Sequence, residues 1–534
     1  MAGSPDGVRK GVRMKQYGAL QNGSDIRGIA ENTVPGEKVN LDEEAVQALA
    51  AAFLFWLCRT TGKKPSQLVL SVGRDSRRSG KFLTKAALQA LAPYGCKLFD
   101  AGLSSTPAMF HSTLYPAWDC DGAIMLTASH MPANRNGMKF FTKEGGLDKA
   151  DIEEIINIAS SPSPLTGMEK AAYPAEVLPI DLIGAYSREL RAMIQEGLRA
   201  GEPGECADKP LSGLKIAVDA GNGAGGFYAL QVLEPLGADI GSSRYLEPDG
   251  SFPHHIPNPE NKEAMESIRA AVRESGSDLG LIFDTDVDRV AAIDEKGKAI
   301  SQNGIVALAA VLIAHDHPGT TVVTDSVTSP ALTAFLEGLG LKHLRYKRGY
   351  RNVIGKAQEL NRKGVDAELA IETSGHAAYR SNHFLDDGAY LATKIVIRAA
   401  LLKKERKGIS SLIADLKEAT EKAEFRLPIE GEHFSETGDA ILHAIEQGVL
   451  EGQGLSGVEV EAPNYEGVRL RFTAEDIRGW MLIRKSLHEP LMPVNMEAEC
   501  RGGCRKIAAV LASWLEDFPQ ADAGRLYAFM EEKE

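Results

Sequence analysis

The sequence predicts an α/β fold built from three related mixed α/β domains and a smaller α+β C-terminal domain around a central cleft, and three observations carry that expectation. First, an Asp, a short apolar strand and a polar turn occur together three times, as Asp121–Ser129, Asp278–Asp286 and Asp366–Ser374. Open α/β sheets bind ligands outside the carboxyl ends of their strands, so three copies of one unit can bring three different loops to one site. Second, apolar strands alternate with helix-length segments through most of the chain, which is the pattern of mostly parallel layers. Third, the texture changes near residue 424, beyond which apolar and polar residues alternate as they do in antiparallel strands.

The first domain is expected over residues 1–205. It opens with a buried strand at Leu68–Val72, the turn Gly73–Arg77 and a helix from about Lys81 to Ala92, and a further strand follows near Lys97–Phe99. Asp151–Ser160 and Asp181–Glu196 read as helices, and the Gly- and Pro-containing run Ala200–Pro210 reads as a linker. The second domain, 206–302, begins with the strand Leu214–Asp219, a Gly-rich segment Gly221–Gly226 and a helix. The third, 303–423, begins with a helix around Ile305–Ala314 and the strand Thr320–Thr324. The fourth, 424–534, has alternating runs at Val458–Glu461, Gly467–Phe472 and Trp480–Arg484, and a closing helix at Arg505–Asp517.

A chain of 534 residues exceeds what one hydrophobic core supports. Its net charge of −13 argues against nucleic-acid or anionic-membrane binding, both of which need a basic face. An anionic substrate must be drawn by local cations. The longest apolar runs, Ala45–Cys58 and Ile305–Ala314, are too short to span a bilayer and read as buried helices. Arg9, Lys10, Arg13 and Lys15 are not followed by an apolar core, so no secretory signal is expected. The six cysteines form no CxxC pair, and Cys500 with Cys504 lacks a second pair nearby to complete a metal site. A reducing, cytoplasmic setting is expected.

The chemistry lies in the polar turns. Asp284, Asp286 and Asp288 follow an apolar strand, and carboxylates at alternate positions can converge on a hard cation such as Mg²⁺, which takes few protein oxygens. An EF-hand is excluded, because no Gly follows at the turn and no Glu closes the loop. A solvated acidic turn is the plain alternative. Ser129 offers a hydroxyl at a strand end, with His130 beside it and Lys139 further on. No Gly-x-Ser-x-Gly elbow surrounds it, which removes the familiar hydrolase reading. Glu372, Ser374 and His376 suit sugar hydroxyls or proton transfer, although the set would also serve as a helix cap. Gly221–Gly226 lacks dinucleotide-fingerprint spacing and reads as close strand–helix packing. Arg484, Ser486 and His488, with Arg505 beyond, can clamp a phosphate, and Lys347 with Arg348 has the same character; surface charge is the alternative for both.

Taken together, these stretches resemble the α-D-phosphohexomutase superfamily, which includes phosphoglucomutase/phosphomannomutase and phosphoglucosamine mutase. The motifs occur in order along the chain: Ser24–Gly28, Gly73–Arg77, the Thr127–His130 loop, Pro248-Asp249-Gly250 with Pro253 and Pro257, Asp284–Arg289, Glu372–His376 and Arg484–Pro490. The resemblance implies three α/β domains and a smaller fourth around a cleft. It also implies that Ser129 is phosphorylated in the resting enzyme and that Asp284, Asp286 and Asp288, with an oxygen of phosphorylated Ser129, hold Mg²⁺. Arg27, Arg289 and Lys139 match cationic positions, and Lys139 or His376 is the candidate for proton transfer. Glu372 and Ser374 match the sugar-hydroxyl loop, and Arg484, Ser486 and Arg505 match the grip on the non-reacting phosphate.

The implied activity interconverts hexose 1-phosphate and hexose 6-phosphate, of glucose or mannose, through a hexose 1,6-bisphosphate that also serves as activator. The expected partners are small hexose phosphates, with no nucleic acid and no membrane, and the expected assembly is a monomer or homodimer. The alternatives are a hexose 1,6-bisphosphate synthase, a phosphoglucosamine mutase and a non-catalytic sugar-phosphate-binding relative. Three departures set the chain apart from the usual pattern. Thr285 and Val287 stand where glycines are usual in the metal loop, Ile371 replaces Gly before Glu372, and Leu487-His488 replace Gly-Thr in the phosphate loop.

Overall fold

The computed structural model describes residues 16–161, 168–199, 208–431, 433–452, 456–486 and 489–531. The chain divides into two compact units, one of residues 1–299 with 387–408, the other of residues 300–386 with 409–534.

The first unit opens with an eight-stranded sheet, whose main path runs Gln21–Asn22, Asp25–Ile29, Arg135–Thr142, Gly122–Leu126, Val69–Arg74, Lys97–Leu103, Val177–Pro179. The helix Glu43–Thr61 covers it and shows why such a helix forms. The Asp42 carboxylate accepts from the Ala45 N–H, Glu43 and Glu44 sit at the positive end of the helix, Arg59 sits at the negative end, and Gly62 stops it in a left-handed conformation. Its Leu49, Phe53 and Leu57 are buried. They press directly on the strand leading to Ser129: a Cβ on Gly122 would come within 2.7 Å of the Leu57 side chain and 2.9 Å of the Phe53 ring. The base of the serine loop is therefore fixed by core packing.

A four-stranded sheet follows in the order Ala299–Ile300, Val290–Ile293, Leu279–Phe283, Ile216–Asp219. The helix Lys262–Ser275, capped by Asn261 and ended at Gly276, packs on it through Ala264, Ile268, Ala271 and Val272. The helix Gly388–Lys404 also packs on this sheet and against the helix Leu182–Arg199. Residues 387–408, in the stretch expected to belong to a third domain, thus pack with the first unit. Leu391, Ala392, Ile395, Val396 and Ala399 are buried along this helix, so it gains more from covering that sheet than from exposure. The Gly-rich segment packs closely, as expected: the Ala224 N–H donates to the Thr285 carbonyl at 2.8 Å, and a Cβ on Gly223 would lie 2.8 Å from the same oxygen.

The second unit holds two five-stranded sheets. One runs Lys342–Arg345, Thr321–Thr324, Leu369–Ile371, Ala377–Tyr379, Leu385–Asp386. The other is antiparallel throughout, in the order Glu421–Pro428, Leu491–Ala498, Gly479–Ile483, Val468–Phe472, Val458–Val460. Its first strand begins at Glu421, slightly before the change in sequence texture. The helix Gly503–Leu515 packs on this sheet through Ile507, Ala508 and Leu511. The two sheets of this unit are joined by Arg469, a fully enclosed guanidinium that donates to the Ser326 and Thr328 carbonyls, pairs with Glu461 and lies 4.0 Å over the Trp480 ring. Burial pulls this group down to about 10, and only those partners make its enclosure tolerable. No described helix is long and apolar enough to cross a membrane.

Candidate active site

The three repeated segments have one local geometry. Gly122–Leu126 pairs parallel with Val69–Arg74 and antiparallel with Arg135–Thr142. Leu279–Phe283 does the same between Ile216–Asp219 and Val290–Ile293, and Leu369–Ile371 between Thr321–Thr324 and Ala377–Tyr379. Each polar turn is therefore a hairpin loop at the carboxyl end of a parallel strand. The leading Asp is structural: the Asp121 carboxylate accepts from the Val69 N–H and the Asp278 carboxylate from the Lys215 N–H, both at 3.0 Å, and the Asp366 carbonyl accepts from the Thr321 N–H. Each fixes the start of the neighbouring parallel strand.

Ser129 sits at the tip of the first loop with φ of 47°, a left-handed conformation that costs a non-glycine residue about 1–2 kcal/mol. A closed ring of hydrogen bonds holds it there. The Ser129 N–H donates to Thr127 Oγ1, whose hydroxyl donates to Asp75 Oδ2. Asp75 pairs with Arg77, and Arg77 returns to the Ser129 carbonyl at 2.5 Å. Arg77 also donates to the carbonyls of Met131, Pro132 and Arg135. One buried guanidinium thus braces the whole loop. Arg27 supports it from the other side, donating to the Thr127 carbonyl at 2.8 Å and to Asp25 at 2.7 Å.

The Ser129 hydroxyl faces the second loop and donates to Asp284 Oδ2 at 2.9 Å. Arg289 reaches both partners, with Nε 3.2 Å from Asp284 Oδ2 and Nη2 3.4 Å from Ser129 Oγ. Asp284, Asp286 and Asp288 are buried, and one ligand oxygen from each lies within 4.8 Å of the others. Lys139 places Nζ 2.5 Å from Asp288 and 3.4 Å from Asp286, and the Thr106 hydroxyl donates to Asp286. Burial and the neighbouring Asp288 hold the Asp284 carboxyl well above its ordinary value, against the pull of Arg289. Burial and Asp288 act in the same sense on Asp286, but Lys139, Thr106 and Arg27 outweigh them and bring it below its ordinary value. Three such carboxylates crowd like charge into a dry site, and a further cation among them would relieve it. The Oδ1 atom of Asp286 is also buried with no hydrogen-bond partner. An all-oxygen set of this size, with an unsatisfied inward oxygen, fits Mg²⁺.

In the second unit, Glu372 Oε1 accepts from the Gly349 N–H at 2.6 Å, its Oε2 lies 3.5 Å from His376 Nδ1, and Ser374 Oγ is 2.8 Å from the same nitrogen. The His376 ring stacks on Tyr350. Asp325, at the end of the neighbouring strand, is buried and accepts from both the N–H and the hydroxyl of Thr373. Burial and nearby Glu372 push its carboxyl up to about 7, with Arg348 opposing. Glu466 collects the cationic loops: it accepts from the Arg348 N–H at 3.0 Å and the Ser326 hydroxyl at 2.6 Å, and it lies 3.8 Å from Arg484. Lys347 is exposed beside Arg348. Ser486 Oγ accepts from the Glu489 N–H at 3.2 Å within the Arg484 loop.

Two expected members stand apart. Arg505 does not join the Arg484–Ser486 loop. The strand Glu421–Pro428 pairs with Leu491–Ala498, so Leu491 lies at the Pro428 end and Ala498 at the Glu421 end. The Glu421 carboxylate accepts from the N–H groups of Gly502 and Cys504, which places the first turn of the final domain's helix, and Arg505 with it, at the Ala498 end. Eight paired residues separate the two ends, roughly 23 Å along a strand. His130 is exposed with its Nδ1 3.4 Å from Ser129 Oγ, so Asp284, at 2.9 Å, is the closer hydrogen-bond partner of that hydroxyl. His488 and Leu487 lie outside the described residues. Sequence alone sets Asp75 and Arg77 in the Gly73–Arg77 motif without a role and misses Thr106 and Glu466, whose partners are remote in sequence.

Comparison with known proteins agrees with this geometry. The profiles for phosphoglucomutase/phosphomannomutase α/β/α domains I, II and III match residues 18–164, 202–297 and 301–419 in that order, more than half of the chain. A phosphomannomutase/phosphoglucomutase of Pseudomonas syringae pv. tomato is 27% identical over 496 residues, covering 92% of this chain and 94% of that protein. A phosphoglucomutase/phosphomannomutase of Thermococcus kodakarensis is 28% identical over 497 residues, covering 92% and 97%. The crystal structure of a phosphoglucomutase/phosphomannomutase family protein from Burkholderia thailandensis shares the fold, with a TM-score of 0.75 at 23% identity over 94% of this chain and 98% of that one. With three successive domain profiles matched in order, the chain belongs to the phosphoglucomutase/phosphomannomutase family.

Proposed function

We propose that this phosphohexomutase interconverts the 1- and 6-phosphates of glucose and mannose through a phosphoserine at Ser129 and a hexose 1,6-bisphosphate intermediate. The observation that carries this reading is the Ser129 hydroxyl, held in a left-handed turn and hydrogen-bonded at 2.9 Å to a buried carboxylate triad. The phosphoryl group passes from Ser129 Oγ to a free hydroxyl of the hexose monophosphate, leaving Ser129 as the hydroxyl and the sugar as the bisphosphate. The other phosphoryl group of that bisphosphate then returns to Ser129. Asp284, Asp286 and Asp288, with an oxygen of phosphorylated Ser129, would hold Mg²⁺, which supplies positive charge to the transferring group.

Arg289, with Nη2 3.4 Å from Ser129 Oγ, adds a second cation there. Arg27, beneath the serine loop, adds a third. Lys139 or His376 takes the proton from the attacking sugar hydroxyl. Glu372 and Ser374 bind sugar hydroxyls, and Lys347, Arg348, Arg484 and Ser486 bind the non-reacting phosphate. Residues 1–205, 206–302, 303–423 and 424–534 are the four domains of this reading. The described cysteines are all free thiols, which supports a cytoplasmic enzyme.

A phosphorus NMR time course with glucose 1-phosphate and mannose 1-phosphate, with and without added hexose 1,6-bisphosphate, tests the proposal. Growth of the 6-phosphate signal, accelerated by a trace of bisphosphate and absent in Ser129→Ala, is the expected result. Net accumulation of bisphosphate without 6-phosphate would overturn it.

A further inference from the structure

One segment of the first unit, residues 248–260, touches both loops that meet at Ser129. At its start, Gly250 lies flat on the turn that carries Arg77: a Cβ there would sit 2.4 Å from the Arg78 nitrogen, 2.5 Å from the Ser76 carbonyl oxygen and 2.6 Å from the Arg77 Cα. No other residue fits that approach. Two residues on, the Phe252 ring faces the Arg77 guanidinium at 5.3 Å, a cation–π contact with the group that braces the Ser129 loop through four carbonyls. Phe252 adopts φ of 49° to do so, a conformation an aromatic residue keeps only where its surroundings impose it.

At the other end of the segment, Asn258 Oδ1 and Glu260 Oε2 lie 3.3 and 3.4 Å from Arg289 Nη1, on the guanidinium that spans Asp284 and Ser129. Between these ends the segment is anchored to its own sheet. The Asp249 N–H donates to the Asn222 carbonyl, His254 Nδ1 lies 2.9 Å from Asn222 Oδ1, and the His254 ring stacks on Tyr245. His255 is enclosed with Nε2 3.0 Å from the buried Asp219 carboxylate and Nδ1 3.1 Å from the Ile256 carbonyl, so both ring nitrogens face acceptors, and against the pull of burial these partners hold the ring's pKa above its ordinary value.

We infer that residues 248–260 form a bracket that sets the separation of the Ser129 loop from the carboxylate loop, with Phe252 and Glu260 as positioning residues that act through Arg77 and Arg289. Neither touches the reacting atoms. The inference rests on the reading of Ser129 as the phosphoryl carrier, because only then does that separation govern turnover. A hydroxyl displaced by about 1 Å from its acceptor geometry loses rate by up to about a hundredfold while ground-state binding is little changed.

The test uses the full chain. In Phe252→Ala, kcat should fall about 10- to 100-fold with KM for glucose 1-phosphate within about twofold, and Phe252→Tyr, which keeps the aromatic face, should recover most of the rate. Hydrogen exchange should accelerate in residues 127–137 and remain unchanged in the sheet of residues 421–498. Glu260→Gln, at a half-exposed side chain, should lower kcat alone in the same way. Equal losses in kcat and 1/KM, an unaltered kcat, failure of Phe252→Tyr to recover, or exchange accelerated throughout the chain would each overturn the bracket. If the wild type turns over no hexose phosphate, yet Phe252→Ala loosens 127–137 selectively, the functional reading fails and the bracket survives as a structural element.

Discussion

Ser129 Oγ and Asp284 Oδ2 are 2.9 Å apart although 155 residues separate them in sequence. The pair joins two sheets, and each partner sits on a hairpin loop whose strand is buried at every position. Intact-mass and peptide analysis of the purified protein should therefore find phosphate on Ser129, and Ser129→Ala should lose turnover by at least about a thousandfold, since its hydroxyl donates directly to Asp284, while the Thr106 hydroxyl on Asp286 is enclosed. Phosphate found only elsewhere would sink the assignment.

Asp286 has one oxygen bonded to Thr106 and the other buried without a partner. A group in that state gains most from a cation, so Asp286→Asn should raise the Mg²⁺ concentration needed for half-maximal rate and lower kcat by about 100-fold or more, with KM for the hexose phosphate little changed. A magnesium titration of wild type and variant checks this. Full activity in EDTA would remove the metal from the mechanism.

Lys139 balances the charge of two of the carboxylates, with Nζ 2.5 Å from Asp288 and 3.4 Å from Asp286. Removing one member of a buried ion pair typically costs about 3–5 kcal/mol, because the remaining charge loses its partner. Lys139→Ala should therefore be strongly destabilised in EDTA, and Mg²⁺ should raise its melting temperature more than that of the wild type, by replacing the missing charge. Calorimetry in EDTA and in Mg²⁺ decides it; equal shifts in the two proteins would show that lysine and cation do not share the same carboxylates.

The sequence made some of this legible and left the rest hidden for physical reasons. Asp284, Asp286 and Asp288 occupy one turn after one strand, so their convergence follows from local geometry. Ser129, Glu372 and Ser374 were likewise visible at strand ends. Arg77 could not be weighted correctly, because besides nearby Asp75 its partners are backbone carbonyls more than fifty residues away that carry no side-chain signature. Charge and order alone put Arg505 with Arg484, whereas strand register sets them at opposite ends of a sheet. The helix Gly388–Lys404 was legible as a helix, but its choice of sheet depended on which apolar face elsewhere remained uncovered.

Asp325 gives a pH-dependent prediction. Its carboxyl is fully buried, receives two hydrogen bonds from Thr373 and stands at about 7, raised by burial and by Glu372. In the unfolded chain an aspartate titrates near its ordinary value of about 3.9. Between those values the folded state holds a proton that the unfolded state has released, so this group's contribution is fully present below about pH 4 and is lost as pH rises through about 7. Asp325→Asn keeps an acceptor for Thr373 without an ionisable proton, so the variant should lack this fall. Urea midpoints read by fluorescence of Trp480, which is buried in the same unit, should decline from pH 5 to 8 in the wild type and stay flatter in the variant. Parallel pH profiles for the two proteins would mean that Asp325 is ionised in the folded state throughout, with Arg348 outweighing both burial and Glu372.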